Sequence, residues 1–100
     1  MMQKVNPGYE EVFNVLMEAL EQTQNGKGKE RHATSEPFEE QEICKIGEWV
    51  GPGYQGGQAI KKIKESYRLP TTEAVEELLG SIIYTVALVL QRRKGVSVYG

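Results

Sequence analysis

From Thr71 to about Lys94 the chain places Val75, Leu78, Leu79, Ile82, Ile83, Val86 and Leu90 at helical spacing. Recurrence every three to four residues defines one long helix with a broad apolar face. Glu73, Glu76 and Glu77 stand at its start and Arg92, Arg93 and Lys94 at its end. The helix macrodipole favours those signs of charge at those ends. The face is too apolar to be only half buried, so other helices or a second copy of the chain must cover it. Gly80 sits in the middle of the helix. It costs about 1 kcal/mol there relative to alanine, which implies a close helix contact. Gly80, Ser81 and Thr85 beside the apolar face suggest self-association; a central helix within a monomer is the other solution.

Three more helices can be read upstream. Asn6 is suited to an N-cap and Pro7 to the first helical position, and Tyr9, Val12, Phe13, Leu16 and Leu20 follow as one stripe until Asn25-Gly26. Phe38, Ile43, Ile46, Trp49 and Val50 mark a second helix, with acidic residues in its first turn. Ala59, Ile60, Ile63 and Tyr67 mark a third, ended by Pro70, which disfavours helix in the residue before it. The expected helices span about 7–24, 37–50, 57–68 and 72–94, with 95–100 as a tail or short strand. The reading is an all-α fold in a single domain, 1–100. It is a small four-helix bundle with a long polar loop between its first two helices, and it assembles as an oligomer.

Composition excludes several classes. One hundred residues build one modest core. The apolar run at 81–90 is too short to span a bilayer, and no signal peptide is expected at the start, so a cytoplasmic chain with no membrane partner is expected. One cysteine, Cys44, allows no internal disulfide, and one histidine with no C-x-x-C argues against structural zinc. No aspartate occurs at all, so no Ser/His/Asp triad can be built. No catalytic residues, no metal and no cofactor are expected. The net charge of −2 divides unevenly. Residues 6–25 carry Glu10, Glu11, Glu18 and Glu21 with no cation, whereas cations gather at Lys27, Lys29 and Arg31 and again at Lys61, Lys62, Lys64 and Arg68. A nonspecific nucleic-acid coat is usually basic overall; local positive charge better suits a small anionic ligand.

"GPGYQGGQAIKK" at 51–62 contains G-x-G-x-x-G through Gly51, Gly53 and Gly56. A dinucleotide fold needs a strand before that motif, and "EICKIGEWV" has helical spacing instead. The phosphate-binding P-loop needs Lys and Ser/Thr after its last glycine, where this chain has Gly57. What remains is a glycine-rich turn opening a helix. Free N–H groups of Gly56 and Gly57 could meet an anion there, with Lys61 and Lys62 one turn further on. A purely structural turn is the competing reading. A helix-turn-helix with Lys61, Lys62, Lys64 and Arg68 on the recognition helix is the DNA-binding alternative. Its turn must be three or four residues, and the gap from Gly51 to about Gly56 is longer.

"GKGKERHATSEP" has no apolar periodicity and is long for a compact domain. Lys27, Lys29, Arg31 and His32 could pair with phosphates, Arg31 as a bidentate fork and the lysines as point charges. Tyr54, Tyr9 or Phe38 could stack a base. The plainer reading is a solvated loop whose Ser35 caps the second helix.

Two resemblances bear on function. "EAVEELLGSIIYTVA" resembles the closing helix of MazG-type nucleotide pyrophosphohydrolases, which implies a magnesium site. Glu76 and Glu77 match its glutamates, but Gly80 stands where the aspartate belongs, and Glu39 and Glu42 match the partner "ExxE" only loosely. "KERHATSEPFEEQ", "GQAIKKIKES" and "EELLGSIIY" together resemble small phage-encoded proteins similar to anti-defence cyclic-nucleotide sponges. That resemblance implies a compact helical oligomer capturing a cyclic nucleotide immune signal between subunits, in the cytoplasm of an infected bacterial host. The functional expectation is a non-enzymatic protein that sequesters a small anionic nucleotide-derived ligand at a subunit interface of a homo-oligomer. Its contacts would be Lys27, Lys29, Arg31, His32, Tyr54, Gly56, Gly57, Lys61 and Lys62. Duplex DNA and a nucleoside triphosphate substrate are the alternative partners.

Overall fold

The computed structural model describes residues 4–25 and 36–95. The described residues form four α-helices and one 3₁₀ turn, with no strand among them. The helices are α1 (Glu10–Asn25), α2 (Glu42–Val50), α3 (Gly53–Ser66) and α4 (Thr71–Arg93), and the 3₁₀ turn is Phe38–Glu40. The all-α bundle expected from the apolar spacing is what the chain forms.

α4 is the central element, packed against α1, α2 and α3, with its most extensive contact to α3. Small residues make the crossings close. Ala19 of α1, Ala59 of α3 and Ala87 of α4 are buried, joined by Leu79. Gln22 of α1 donates through Nε2 to the Glu76 carbonyl of α4 at 3.2 Å.

Several boundaries differ from the sequence reading. α1 starts at Glu10 rather than about residue 7, because Gly8 adopts φ +91°. That left-handed conformation, easy for glycine, turns the chain so that the Tyr9 N–H bonds the Asn6 carbonyl at 3.1 Å. The second expected helix is interrupted at Gln41, whose ψ of 163° is extended, so the 3₁₀ turn precedes a shorter α2. The glycine-rich turn is the largest difference. The chain reverses at Gly51 and Pro52 alone, and α3 begins at Gly53, so Gly53, Gly56 and Gly57 are helical. Gly51 carries the turn with φ +96°, and its N–H closes α2 on the Gly47 carbonyl at 2.9 Å. The two-residue gap also falls short of the three or four residues of a helix-turn-helix, whereas the sequence spacing indicated a gap that was too long. Gly95 follows the end of α4 with φ +84°.

Gly80 has a different role from the one its neighbours suggested. A Cβ placed there would meet Cδ and Cε of Lys62 at 3.1 and 3.2 Å, so the close contact is with α3 of the same chain. Ser81 is buried within the chain and Thr85 is exposed, its hydroxyl bonding back to the Ser81 carbonyl at 2.9 Å. This small-residue group does not form an exposed docking stripe.

The apolar stripe of α1 is left uncovered, and that of α4 is covered only in part. On α1, Tyr9, Val12, Phe13, Val15, Leu16, Met17 and Leu20 are exposed; on α4, so are Val75, Leu78, Val86 and Val89. Trp49 is 90% exposed and Tyr67 86%. The buried apolar set, by contrast, is three alanines and one leucine.

The glycines of α2 and α4 separate two kinds of close contact. A Cβ at Gly47 would lie 2.5 Å from the buried Gln55 Nε2. Gly47→Ala should therefore lower stability by about 2 kcal/mol, since the amide must shift and lose a buried hydrogen bond. Gly80→Ala meets only the flexible end of Lys62 and should be neutral or stabilising by up to about 1 kcal/mol through helix propensity. Urea unfolding of the two variants checks both signs.

Candidate functional site

α2 is held by two buried glutamines. Gln55 of α3, 1% exposed, donates through Nε2 to the Ile43 carbonyl at 2.9 Å. Gln91 of α4, 9% exposed, donates through Nε2 to the Gly47 carbonyl at 2.9 Å. The same carbonyl accepts the Gly51 N–H, so Gly47 O joins the end of α2 to α4. Gly47 has no side chain to obstruct this: its Cβ position is 2.5 Å from Gln55 Nε2 and 3.4 Å from Gln91 Oε1. Both amides therefore converge over one glycine.

Each glutamine uses its nitrogen on the backbone and leaves its oxygen over. Gln55 Oε1 and Gln91 Oε1 are both buried, and neither has a hydrogen-bond partner among the described residues. A buried acceptor without a donor costs about 1–3 kcal/mol, so two in one place are unusual. The two glutamines are among the residues around an open-sided cleft of about 160 Å³ between α2, α3 and α4, although their amide oxygens are themselves closed off from solvent. Ala87 and Leu90 supply apolar wall, and Gly51 closes the turn side. Cys44, Glu48, Glu39 and Lys94 complete the rim. Lys94 Nζ pairs with Glu39 Oε1 at 3.6 Å, linking the 3₁₀ turn to the end of α4.

Cys44 is a free thiol on this rim. Burial pushes its pKa up from the ordinary value of 9.0; Glu39 and Glu48 push the same way, and Lys94 opposes them. The direction of that shift disfavours the thiolate, which is the reactive form.

The residues expected from the sequence to bind ligand are dispersed. Lys27, Lys29, Arg31 and His32 lie outside the described residues, as do Ser35 and the tail 96–100. Tyr54 stacks edge-on with Tyr84 at 5.9 Å between ring centroids, 78° apart, so it already has an aromatic partner within the chain. Gly56 and Gly57 sit in the second turn of α3, where the Gly56 N–H bonds the Pro52 carbonyl at 3.4 Å. Their N–H groups belong to the helix ladder rather than to an open turn. Lys62 lies along Gly80, pairs with Glu77 at 3.6 Å and sits 5.9 Å from the centre of the Tyr84 ring. Arg68 pairs with Glu65. Lys61 and Lys64 are exposed and make no ion pair among the described residues. The structure thus brings Lys62, Tyr84 and Glu77 together, with Tyr54 on Tyr84, as an internal packing unit. Of the glutamates that resemble a magnesium set, Glu77 faces Lys62, Glu39 faces Lys94, and the Glu76 carbonyl faces α1. Among the described residues no three His, Cys, Asp or Glu side chains group as a metal site.

Comparison with protein-family models, curated proteins and solved structures returned no match. No helix among the described residues is long and apolar enough to cross a membrane.

The glutamine cleft was not foreseen from the sequence. One signal was present: Gln91 stands four residues after Ala87 on an otherwise inward-facing row of α4.

Cys44 reports on this cleft. At pH 8 its alkylation by a maleimide should be several-fold slower than that of an unfolded-chain thiol, because folding raises the pKa and partly covers the residue. In urea above the unfolding transition the difference should vanish. Equal rates folded and unfolded would remove Cys44 from a buried rim.

Proposed function

We propose that the protein is a non-enzymatic binding protein that assembles as a homo-oligomer and sequesters a small anionic, nucleotide-derived ligand at a subunit interface. The observation that carries this reading is the imbalance between a buried core of Ala19, Ala59, Ala87 and Leu79 and the open apolar rows of α1 and α4. On α4, Val75, Leu78, Ile82, Val86 and Val89 recur at spacings of three and four, the pattern by which one helix packs along another. A second copy is the occupant that fits best, because a two-fold interface must be self-complementary and an apolar row meets its own copy without unpaired charge. Charge adds to the fit. Glu10, Glu11, Glu18 and Glu21 on α1 are free of ion pairs among the described residues, and so are Lys61 and Lys64 on α3.

Covering half-exposed valine and leucine side chains is worth about 1 kcal/mol each. Four on α4 and four on α1, with Phe13 and Met17 beside them, then supply stabilisation comparable to that of a small domain. Symmetric assembly would also duplicate the sparse cations. Lys61, with Lys27, Lys29, Arg31 and His32, is the proposed phosphate-contacting set; Lys62 supports it from within the chain. The resemblance to anti-defence sponges favours a cyclic nucleotide as the ligand.

Native mass spectrometry with a panel of mono-, di- and cyclic nucleotides tests both halves of the reading. An oligomer that gains a stoichiometric, unhydrolysed nucleotide is expected. Leu78→Glu should shift the oligomer to monomer. Lys61→Ala should leave assembly intact and weaken nucleotide binding about tenfold, as for loss of one charge-assisted contact. A monomer that takes up no nucleotide would overturn the proposal.

A further inference from the structure

We infer that α1 of one copy packs antiparallel along the outer face of α3 of a second copy, with Glu10 seated between the partner's Lys64 and the partner's Arg68. The inference rests on the proposed homo-oligomer and adds which helices meet and in what register. Both helices carry an apolar row on a side that their own chain leaves open. α3 buries Gln55, Ala59 and Ser66 and leaves Ile60, Ile63 and Tyr67 exposed. After Trp49, Tyr67 and Ile60 are the most exposed large apolar side chains among the described residues. α1 buries only Ala19, and its row of Tyr9, Phe13, Leu16 and Leu20 is exposed. Ala19 and the bond from Gln22 to the Glu76 carbonyl hold α1 on α4 of its own chain. The α3 that this row can cover is therefore that of a second copy.

The two rows share one spacing. Tyr9, Phe13, Leu16 and Leu20 follow one another at steps of four, three and four. Gly56, Ile60, Ile63 and Tyr67 repeat those steps on α3. The sequence four-three-four reads the same in reverse, so an antiparallel pair brings both rows into register over about 16 Å. Tyr9 then lies level with Tyr67, Phe13 with Ile63 and Leu16 with Ile60, while Leu20 falls on Gly56, where α3 has no side chain. Charge selects the same arrangement. One residue after each apolar position of α1 stand Glu10, Asn14, Met17 and Glu21; on α3 the same shift gives Gly57, Lys61, Lys64 and Arg68. Rows displaced in the same sense on two right-handed helices reach the same edge only when the helices run antiparallel. Glu10 then falls between Lys64 and Arg68, and Asn14 between Lys61 and Lys64, so no like charges meet. Among the described residues Glu10 and Lys64 have no ion pair, and Arg68 has only its neighbour Glu65. In a two-fold dimer the contact occurs twice.

Sedimentation of two full-chain variants tests the pairing: Glu10→Lys with Asn14→Lys, and Lys64→Glu with Arg68→Glu. All four side chains are exposed. Each variant alone should associate about tenfold more weakly than the natural chain, because like charges then meet across both contacts. Mixed in equal amounts, the two should associate within about threefold of the natural chain, since every contact again joins opposite charges. A role for these residues within one chain gives no such rescue. Variants that associate as tightly as an oligomeric natural chain would overturn the pairing and leave the assembly standing. Two weakened variants whose mixture stays dissociated would do the same. A natural chain that stays monomeric at millimolar concentration would overturn pairing and assembly together. If a variant does not fold, the register is read by cross-linking instead. Chains carrying Leu16→Cys and Ile60→Cys, each with Cys44→Ser, should give a mixed disulfide dimer on oxidation; its absence would overturn the pairing.

Discussion

The constraint that governs this molecule is the shortage of interior. Helices α1 and α4 each carry a wide apolar face, but the intrachain crossings bury only Ala19, Ala59, Ala87 and Leu79 among apolar residues and leave many larger side chains exposed or half-buried. Close crossings of this kind give good backbone proximity and little apolar burial. Since folding of a 100-residue chain depends mainly on removing apolar surface from water, the exposed apolar side chains of α1 and α4 are a source of stabilisation that the single chain leaves unused. The proposed assembly follows from that imbalance more directly than from any sequence motif.

Polar contacts compensate within the chain. α2 is short, with Gly47 at its centre, and two buried glutamines hold its backbone carbonyls. Lys62 lies over Gly80 toward Glu77 and Tyr84, so a residue that looks like a ligand contact in the sequence works as a strut between α3 and α4. Fixing α2 against α3 and α4 in this way leaves a cleft beside the two glutamines, and each amide keeps a buried oxygen with no partner among the described residues.

Legibility in the sequence followed the range of the interactions. α4 was readable from end to end, since apolar spacing, terminal charges and Gly95 all act locally. α1 was readable except for its start, where Gly8 and not Asn6-Pro7 sets the first turn. The stretch 51–57 was misread because glycine lowers helix propensity without forbidding helix, and packing against α4 overrode that preference, with Gly56 facing Leu88. Tyr54 and Lys62 carried chemistry suited to a ligand, but their partners Tyr84, Glu77 and Gly80 lie on another helix. In the sequence Gln55 and Gln91 are single polar residues far apart along the chain; only the fold brings both amides over Gly47.

The measurement that tests the central claim most directly is the melting temperature of the purified chain as a function of its own concentration. If folding draws on a second copy to cover α1 and α4, mass action must appear in the melt. A hundredfold rise in concentration should then raise the melting temperature by about 5 °C. A melting temperature that stays constant over that range, for a chain that sediments as a monomer, would contradict the account.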